Sequence, residues 1–171
     1  IQGKSGAGKT TLLRTIAGLW SYAEGEVSCP TNSQLFLSQK PYVPQGNLIS
    51  ALTYPSKPDN ISHTQAVAIL NKVQLGHLTE QLEKEKDWTR ILSLGEQQRL
   101  AFARLILHKP AVAFLDEATA SMDEGLEFAM YQLLKQELPK TTLISVGHRS
   151  TLKALHQQQL TLQDKGQWQL M

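Results

Sequence analysis

Gly3-Lys4-Ser5-Gly6-Ala7-Gly8-Lys9-Thr10 opens the chain and runs directly into Thr11-Leu12-Leu13-Arg14-Thr15-Ile16-Ala17, which Gly18 closes. Glycines at this spacing let a backbone curl so that successive N–H groups face one point. The helix that follows turns the positive end of its dipole toward the same point, so the stretch suits a phosphate. In the pattern Gly-x-x-x-x-Gly-Lys-Thr, Lys9 supplies a mobile positive charge for the outer phosphates and the Thr10 hydroxyl a ligand for Mg2+. Gly3, Lys4, Ser5, Gly6, Ala7, Gly8, Lys9, Thr10 and Thr11 are therefore the candidate nucleotide-binding residues. Alone, the pattern says nucleoside triphosphate and no more, because unrelated ATPases, GTPases and kinases share it.

Working outward, Ile1-Gln2-Gly3 reads as the end of a strand, so the chain is expected to begin inside a longer polypeptide. Leu35-Phe36-Leu37, Val112-Ala113-Phe114-Leu115 and Leu143-Ile144-Ser145-Val146 are short, mostly apolar runs, as buried parallel strands are. Helices are predicted over 64–72, over 93–107 with a stop at His108-Lys109-Pro110, and over 124–138 with a stop at Pro139. This alternation predicts an α/β fold with a mostly parallel sheet, and the glycine pattern at Gly3 to Thr10 makes a P-loop NTPase core the expected class. The polar, helix-biased stretch 47–90, punctuated by Tyr54-Pro55 and Lys57-Pro58, breaks the rhythm and predicts an inserted helical subdomain between core segments 1–46 and 91–171. Alternation over 160–163 and 167–170 around Asp164-Lys165-Gly166 predicts a C-terminal β-hairpin.

A length of 171 residues fits one domain. Lys and Arg number 17 against 15 Asp and Glu, and 41% of residues are hydrophobic, which excludes a disordered chain and a basic nucleic-acid-binding tail. Cys29 is the sole cysteine, so no internal disulfide or thiolate zinc site is available, and a reducing compartment fits. The longest apolar run, 111–115, is far below the ~18 residues of a membrane-spanning helix.

Two further stretches carry chemistry. Asp116-Glu117 ends the apolar run 111–115, placing two carboxylates at the end of a strand where open α/β sheets bind ligands. Asp116 is the candidate to act on Mg2+, and Glu117 the candidate to accept a proton from a water attacking the terminal phosphate. Leu92-Ser93-Leu94-Gly95-Glu96-Gln97-Gln98-Arg99 opens a helix, with Ser93 and Glu96 spaced as a capping box. An exposed helix N-terminus with Ser and Gly is also a second phosphate-binding end.

With these residues in place, the chain resembles the nucleotide-binding domain of ATP-binding cassette (ABC) transporters over almost its whole length. The P-loop matches at Gly3 to Thr10, and the glutamine loop looks like Ser38-Gln39. The signature Leu-Ser-Gly-Gly-Gln resembles Leu92 to Glu96, and the Walker B strand with its acidic pair resembles Ala111 to Glu117. The D-loop resembles Ala120-Ser121-Met122-Asp123, and the switch histidine resembles His148 in Gly147-His148-Arg149. The resemblance implies ATP and Mg2+ as ligands and two such domains paired head to tail. Ser93, Gly95 and Glu96 of one would then cover the ATP on the P-loop of the other.

By the same resemblance, Gln39 would ligate Mg2+ or the attacking water, His148 would contact the terminal phosphate and hold the water of Glu117 in line, and Asp123 would link the two sites. It also implies a transmembrane domain fused N-terminally, a place at the cytoplasmic face of a membrane, and no nucleic-acid partner. His63, His77, His108 and His156 are expected to be surface residues, and Trp88 to pack inside the helical subdomain. Leu94 stands where most members have glycine and Glu96 where most have glutamine. Glu96, Trp88 and Tyr54-Pro55 resemble the fatty-acyl (subfamily D) branch and its bacterial relatives. The upstream strands and adenine-stacking aromatic of the family have no counterpart here, so a partial domain is expected. A soluble ABC-type ATPase acting on nucleic acid or ribosomes is the alternative, but only 52 residues, without sustained heptads, separate Gln39 from Leu92. A non-hydrolysing ATP-sensing cassette is a further alternative, and the presence of Lys9, Asp116, Glu117 and His148 argues against it.

Overall fold

The computed structural model describes residues 1–30, 33–163 and 166–171. Its strands and helices are, in chain order, β1 (Gln2–Gly3), α1 (Lys9–Ile16), β2 (Gln34–Leu37), β3 (Gly46–Asn47), α2 (Leu48–Thr53), α3 (His63–Lys72), β4 (Glu85–Lys86), α4 (Trp88–Ile91), α5 (Leu94–His108), β5 (Val112–Asp116), α6 (Glu124–Glu137), β6 (Thr142–Val146), β7 (Leu160–Leu162) and β8 (Trp168–Leu170). Short 3-10 turns lie at Pro58–Asn60, Gly76–Gln81 and Ser150–Leu155. Residues group into two compact units, one of Ile1–Gln39, Pro110–Ala118 and Lys140–Met171, the other of Lys40–Lys109 and Thr119–Pro139.

The first unit is built on a parallel sheet in the order β2-β5-β6. Every residue of β5 is buried, which is why its sequence is apolar up to Asp116 instead of alternating. Leu13 of α1 packs with Val112, Phe114 and Val146, and Phe36 stacks on Phe114 with ring centroids 6.3 Å apart. A second sheet, β1-β7-β8, pairs β1 parallel to β7 and closes the expected hairpin antiparallel. Asp164 and Lys165 of the expected turn lie outside the described residues. A Cβ on Gly3 would sit 2.7 Å from the carbonyl oxygen of Leu162, so only glycine lets β1 approach β7 this closely.

The second unit is helical, with β3 and β4 as one small antiparallel pair. Its core includes Leu48, Leu52, Leu70, Leu75, Leu100, Phe102, Leu105 and Leu134, and Phe102 meets Tyr131 edge to face at 6.0 Å. Stretch 47–90 lies wholly inside this unit, which also takes in α5 and α6 because α2 and α3 pack against α5, and α5 against α6. Helices α2 and α6, absent from and present in the sequence reading respectively, each start on a side-chain cap: Asn47 accepts from the N–H of Ser50 and Asp123 from that of Leu126. Helices α3 and α5 start on complete capping boxes, Ser62 with Gln65 and Ser93 with Glu96. Trp88 is buried, and its indole N–H donates to the carbonyl of Lys84 at 3.2 Å. Arg104 is buried too, donating to the carbonyls of Ala51 and Tyr42 at 2.8 Å each, and burial pulls its pKa down to about 10.

Two of the histidines expected at the surface are instead half-buried and bonded. His108 lies 2.9 Å from the carbonyl of Thr53, and His156 lies 2.9 Å from the carbonyl of Leu152 and 3.0 Å from the Ser145 hydroxyl. Both satisfy backbone groups at the ends of short elements, a use of imidazole that leaves no periodic mark in sequence. Among the described residues no helix is long and apolar enough to cross a membrane.

The two capping boxes differ in one testable way. Burial pushes the Glu96 carboxyl up, but hydrogen bonds from the Ser93 hydroxyl and N–H and the imidazole of His77 hold it below the ordinary glutamate range. A carboxyl depressed in the folded state stabilises that state above its unfolded pKa of about 4.3, and the contribution is lost as pH falls through the folded value. Lowering the pH from about 6 to about 3 is therefore expected to raise the intrinsic-rate-corrected amide exchange of the first turn of α5 more than that of α3, whose box uses the neutral Gln65. Equal loss in both helices overturns the assignment.

Candidate functional site

In the first unit the site begins where β1 hands over to α1. Gly8 is the N-cap of α1 at φ 85°, a left-handed conformation that favours glycine, and it offers no side chain to the first turn. No acidic residue occupies that turn either, so no side chain caps the first-turn N–H groups of α1 or answers its dipole. Lys9 is buried at 6% exposure, and its ammonium donates to the carbonyls of Gly3 at 3.0 Å and Lys4 at 2.8 Å. The lysine thus holds the curl of the loop from within while remaining beside it. Lys4, Ser5, Gly6 and Thr11 are exposed, and Ala7 is half-buried.

The parallel sheet brings the acidic pair to the same unit. Thr10 donates its hydroxyl proton to Oδ1 of the buried Asp116 at 2.8 Å, joining the start of α1 to the end of β5 across 106 positions of sequence. Glu117 follows in the left-handed region at φ 51°, with its N–H donating to the carbonyl of Val146 at 3.1 Å. A non-glycine residue held there is uncommon, and the turn swings Glu117 out of the buried line of β5 to half-exposure. Its Oε1 lies 3.0 Å from Nε2 of His148, which stands just past the end of β6. Two strand ends thus set a carboxylate against an imidazole, a pair suited to holding a water and taking its proton. Gln39 follows β2 as an exposed bend residue.

The oxygens of Thr10 and Asp116 are hard donors of the kind Mg2+ prefers, and Mg2+ is usually held by one or two protein ligands together with substrate phosphates. Among the described residues no cluster of three or more His, Cys, Asp or Glu residues fit to hold a metal is found.

The remaining candidates belong to the second unit. Ser93 is the exposed N-cap of α5. Its N–H and hydroxyl donate to Oε2 of Glu96 at 2.9 and 2.8 Å, and its oxygen accepts the N–H of Glu96 at 3.3 Å. Leu94 is 38% exposed. Gly95 has a packing role besides any ligand role, because a Cβ there would stand 3.1 Å from the carbonyl oxygen of Ser121. The buried Gln98 accepts the N–H of Ser121 at 3.0 Å, and Thr119 donates its hydroxyl proton to the buried Glu127. Asp123 caps α6 at 2.8 Å. The 119–123 loop is therefore clamped to the first turns of both α5 and α6. Sequence reading missed Gln98 and His77. A buried glutamine beside an exposed serine turn has no spacing signal, and His77 meets Glu96 from a separate turn, 19 positions away.

The chain is similar to known proteins over most of its length. A family model described as ABC transporter matches residues 1–120. An uncharacterized ABC transporter ATP-binding protein of Haemophilus influenzae is 88% identical over the whole chain, which covers 29% of that relative. The lysosomal cobalamin transporter ABCD4 of Homo sapiens is 40% identical over the whole chain, covering 30% of its length, and the inner membrane ABC transporter ATP-binding protein YddA of Escherichia coli is 36% identical over 87% of the chain, covering 26% of its length. The chain therefore spans less than a third of the length of these relatives. A solved structure of a bacterial Atm1-family ABC exporter with ATP bound superposes on 94% of the chain with a TM-score of 0.79 at 24% identity, covering 31% of that protein, a likeness of fold. The glycine loop, the acidic strand end and the family match together place the chain in the ABC transporter family.

Proposed function

We propose that this chain binds and hydrolyses ATP to power transport across a membrane, working as a sandwich of two such nucleotide-binding domains joined to a transmembrane domain. The observation that carries the reading is the Thr10–Asp116 hydrogen bond at 2.8 Å beside an uncapped helix N-terminus, since it gathers a phosphate cradle and hard oxygen donors in one unit.

The loop 3–8 and the first turn of α1 bind the phosphates through backbone N–H groups, and Lys9 neutralises the outer ones. Thr10, Asp116 and Gln39 would hold Mg2+, which when bound offsets the charge that develops on the phosphate oxygens. Glu117 orients the attacking water and accepts its proton, and His148, 3.0 Å from that carboxylate, donates toward the terminal phosphate and keeps Glu117 turned to the water. Ser93 and Gly95 of a second copy, at the N-terminus of its α5, complete the phosphate shell, and its Asp123 lies in the loop clamped to that helix. Binding thus favours the closed pair, and hydrolysis removes the phosphate that holds it closed. Six sequence motifs in family order and relatives named as transporter ATP-binding proteins support this reading.

Two substitutions in the full-length protein test it. Glu117→Gln is expected to retain ATP binding, trap the paired state on size-exclusion chromatography, and cut turnover by about 10²–10⁴-fold; unchanged turnover removes Glu117 as the base. Ser93→Arg is expected to abolish turnover while leaving ATP affinity of the unpaired domain within about twofold of wild type, read by nucleotide titration. Loss of that affinity would place Ser93 on the nucleotide of its own chain.

A further inference from the structure

Glu96 poses an electrostatic difficulty. A carboxylate at a helix N-terminus favours the helix dipole, but it repels a phosphate arriving at the same end. It also holds the proton of the Ser93 hydroxyl, which donates to Oε2 at 2.8 Å. The other oxygen, Oε1, lies 2.9 Å from Nε2 of His77 in the Gly76–Gln81 turn. One carboxylate is therefore divided between the residue that would meet the phosphate and an imidazole reaching in from another element. That turn packs against α3, whose Lys72 is engaged with Glu137 at 2.7 Å. The side chain of His77 is 57% exposed, so its bond to Glu96 is its structural commitment here, not a place in the core.

We propose that His77 is a positioning residue for the phosphate-meeting end of α5: its donation to Glu96 draws carboxylate charge onto Oε1, lowers the repulsion felt by an incoming phosphate, and frees the Ser93 hydroxyl to turn from Oε2 to that phosphate. The inference rests on Ser93 meeting the nucleotide of a second copy. It explains how an acidic residue is compatible with an anion-receiving helix end. His77 acts through Glu96 and touches no substrate.

The test is steady-state Mg2+-ATP hydrolysis by the full-length protein carrying His77→Ala, His77→Gln, Glu96→Gln, or His77→Ala with Glu96→Gln. His77→Ala is expected to raise the ATP concentration for half-maximal rate about three- to fivefold with kcat within about twofold of wild type, the size of one exposed charge-assisted contact. A merely structural role would lower kcat through a smaller active fraction and leave KM in place. His77→Gln, which keeps a donor near the Nε2 position, is expected to restore most of the KM. In the Glu96→Gln background the His77→Ala effect is expected to vanish, since the charge it answers is gone. A wild-type KM in His77→Ala, or an equal shift in both backgrounds, overturns the proposal. Ser93→Arg separates the two readings: if it leaves turnover intact, the sandwich reading fails; if it abolishes turnover while His77→Ala matches wild type, the role of His77 alone fails.

Discussion

Parallel pairing on both sides of β5 is the constraint from which the rest of the first unit follows. With β2 on one flank and β6 on the other, all five residues from Val112 to Asp116 are withdrawn from solvent, and a shift of one position would put Phe114 out of register with Phe36 and Ile144. Leu13 then locks α1 onto the same core, so the glycine loop at the head of α1 is carried by the sheet and not by its own contacts alone. Asp116, the first polar residue of the run, is buried, and its partner is the Thr10 hydroxyl. Position along a strand decides chemistry here: the fifth residue is tied inward, and the sixth, Glu117, leaves through a left-handed turn to face His148.

The N-termini of α1 and α5 follow opposite designs. Helix α1 starts on a glycine that contributes no cap, so its first-turn donors stay open. Helix α5 caps itself fully with Ser93 and Glu96, and its open face is packed by Ser121 behind Gly95. An uncapped end is ready for a ligand at some cost in helix stability, whereas a self-capped end is stable alone and must rearrange its serine before it serves another group.

Much of this was legible in sequence because the signals were local. The strands around Phe36, Phe114 and Ile144 announced themselves by continuous apolar runs, and the start of α5 by the Ser93–Glu96 capping box. The glycine loop and acidic pair carry fixed spacings for the same reason. What was not legible depends on distant pairing. Stretch 47–90 reads as separate by composition, yet α5 and α6 belong with it because apolar faces far apart in the chain meet. His108 and His156 read as surface residues because only the tertiary fold brings carbonyls to their rings. The Glu96–His77 contact crosses elements and leaves no periodic trace.

The lysine and the threonine at the head of α1 tie the loop at very different ranges. Lys9 reaches back only five and six residues, and Thr10 reaches 106. On the proposed function, a phosphate seated between them would be a removable cross-link between the N-terminal loop and the central strand. Because the unfolded chain offers no such pair, ligand occupancy adds to stability by mass action, about 2.7 kcal/mol at a hundredfold excess over Kd. On the proposed function, nucleotide occupancy would then lengthen the lifetime of this unit against proteolysis, adding one more tie to an amino end already held by the Ile1 ammonium on the Ser145 carbonyl, by β1 on β7 and by the Thr10 hydroxyl on Asp116.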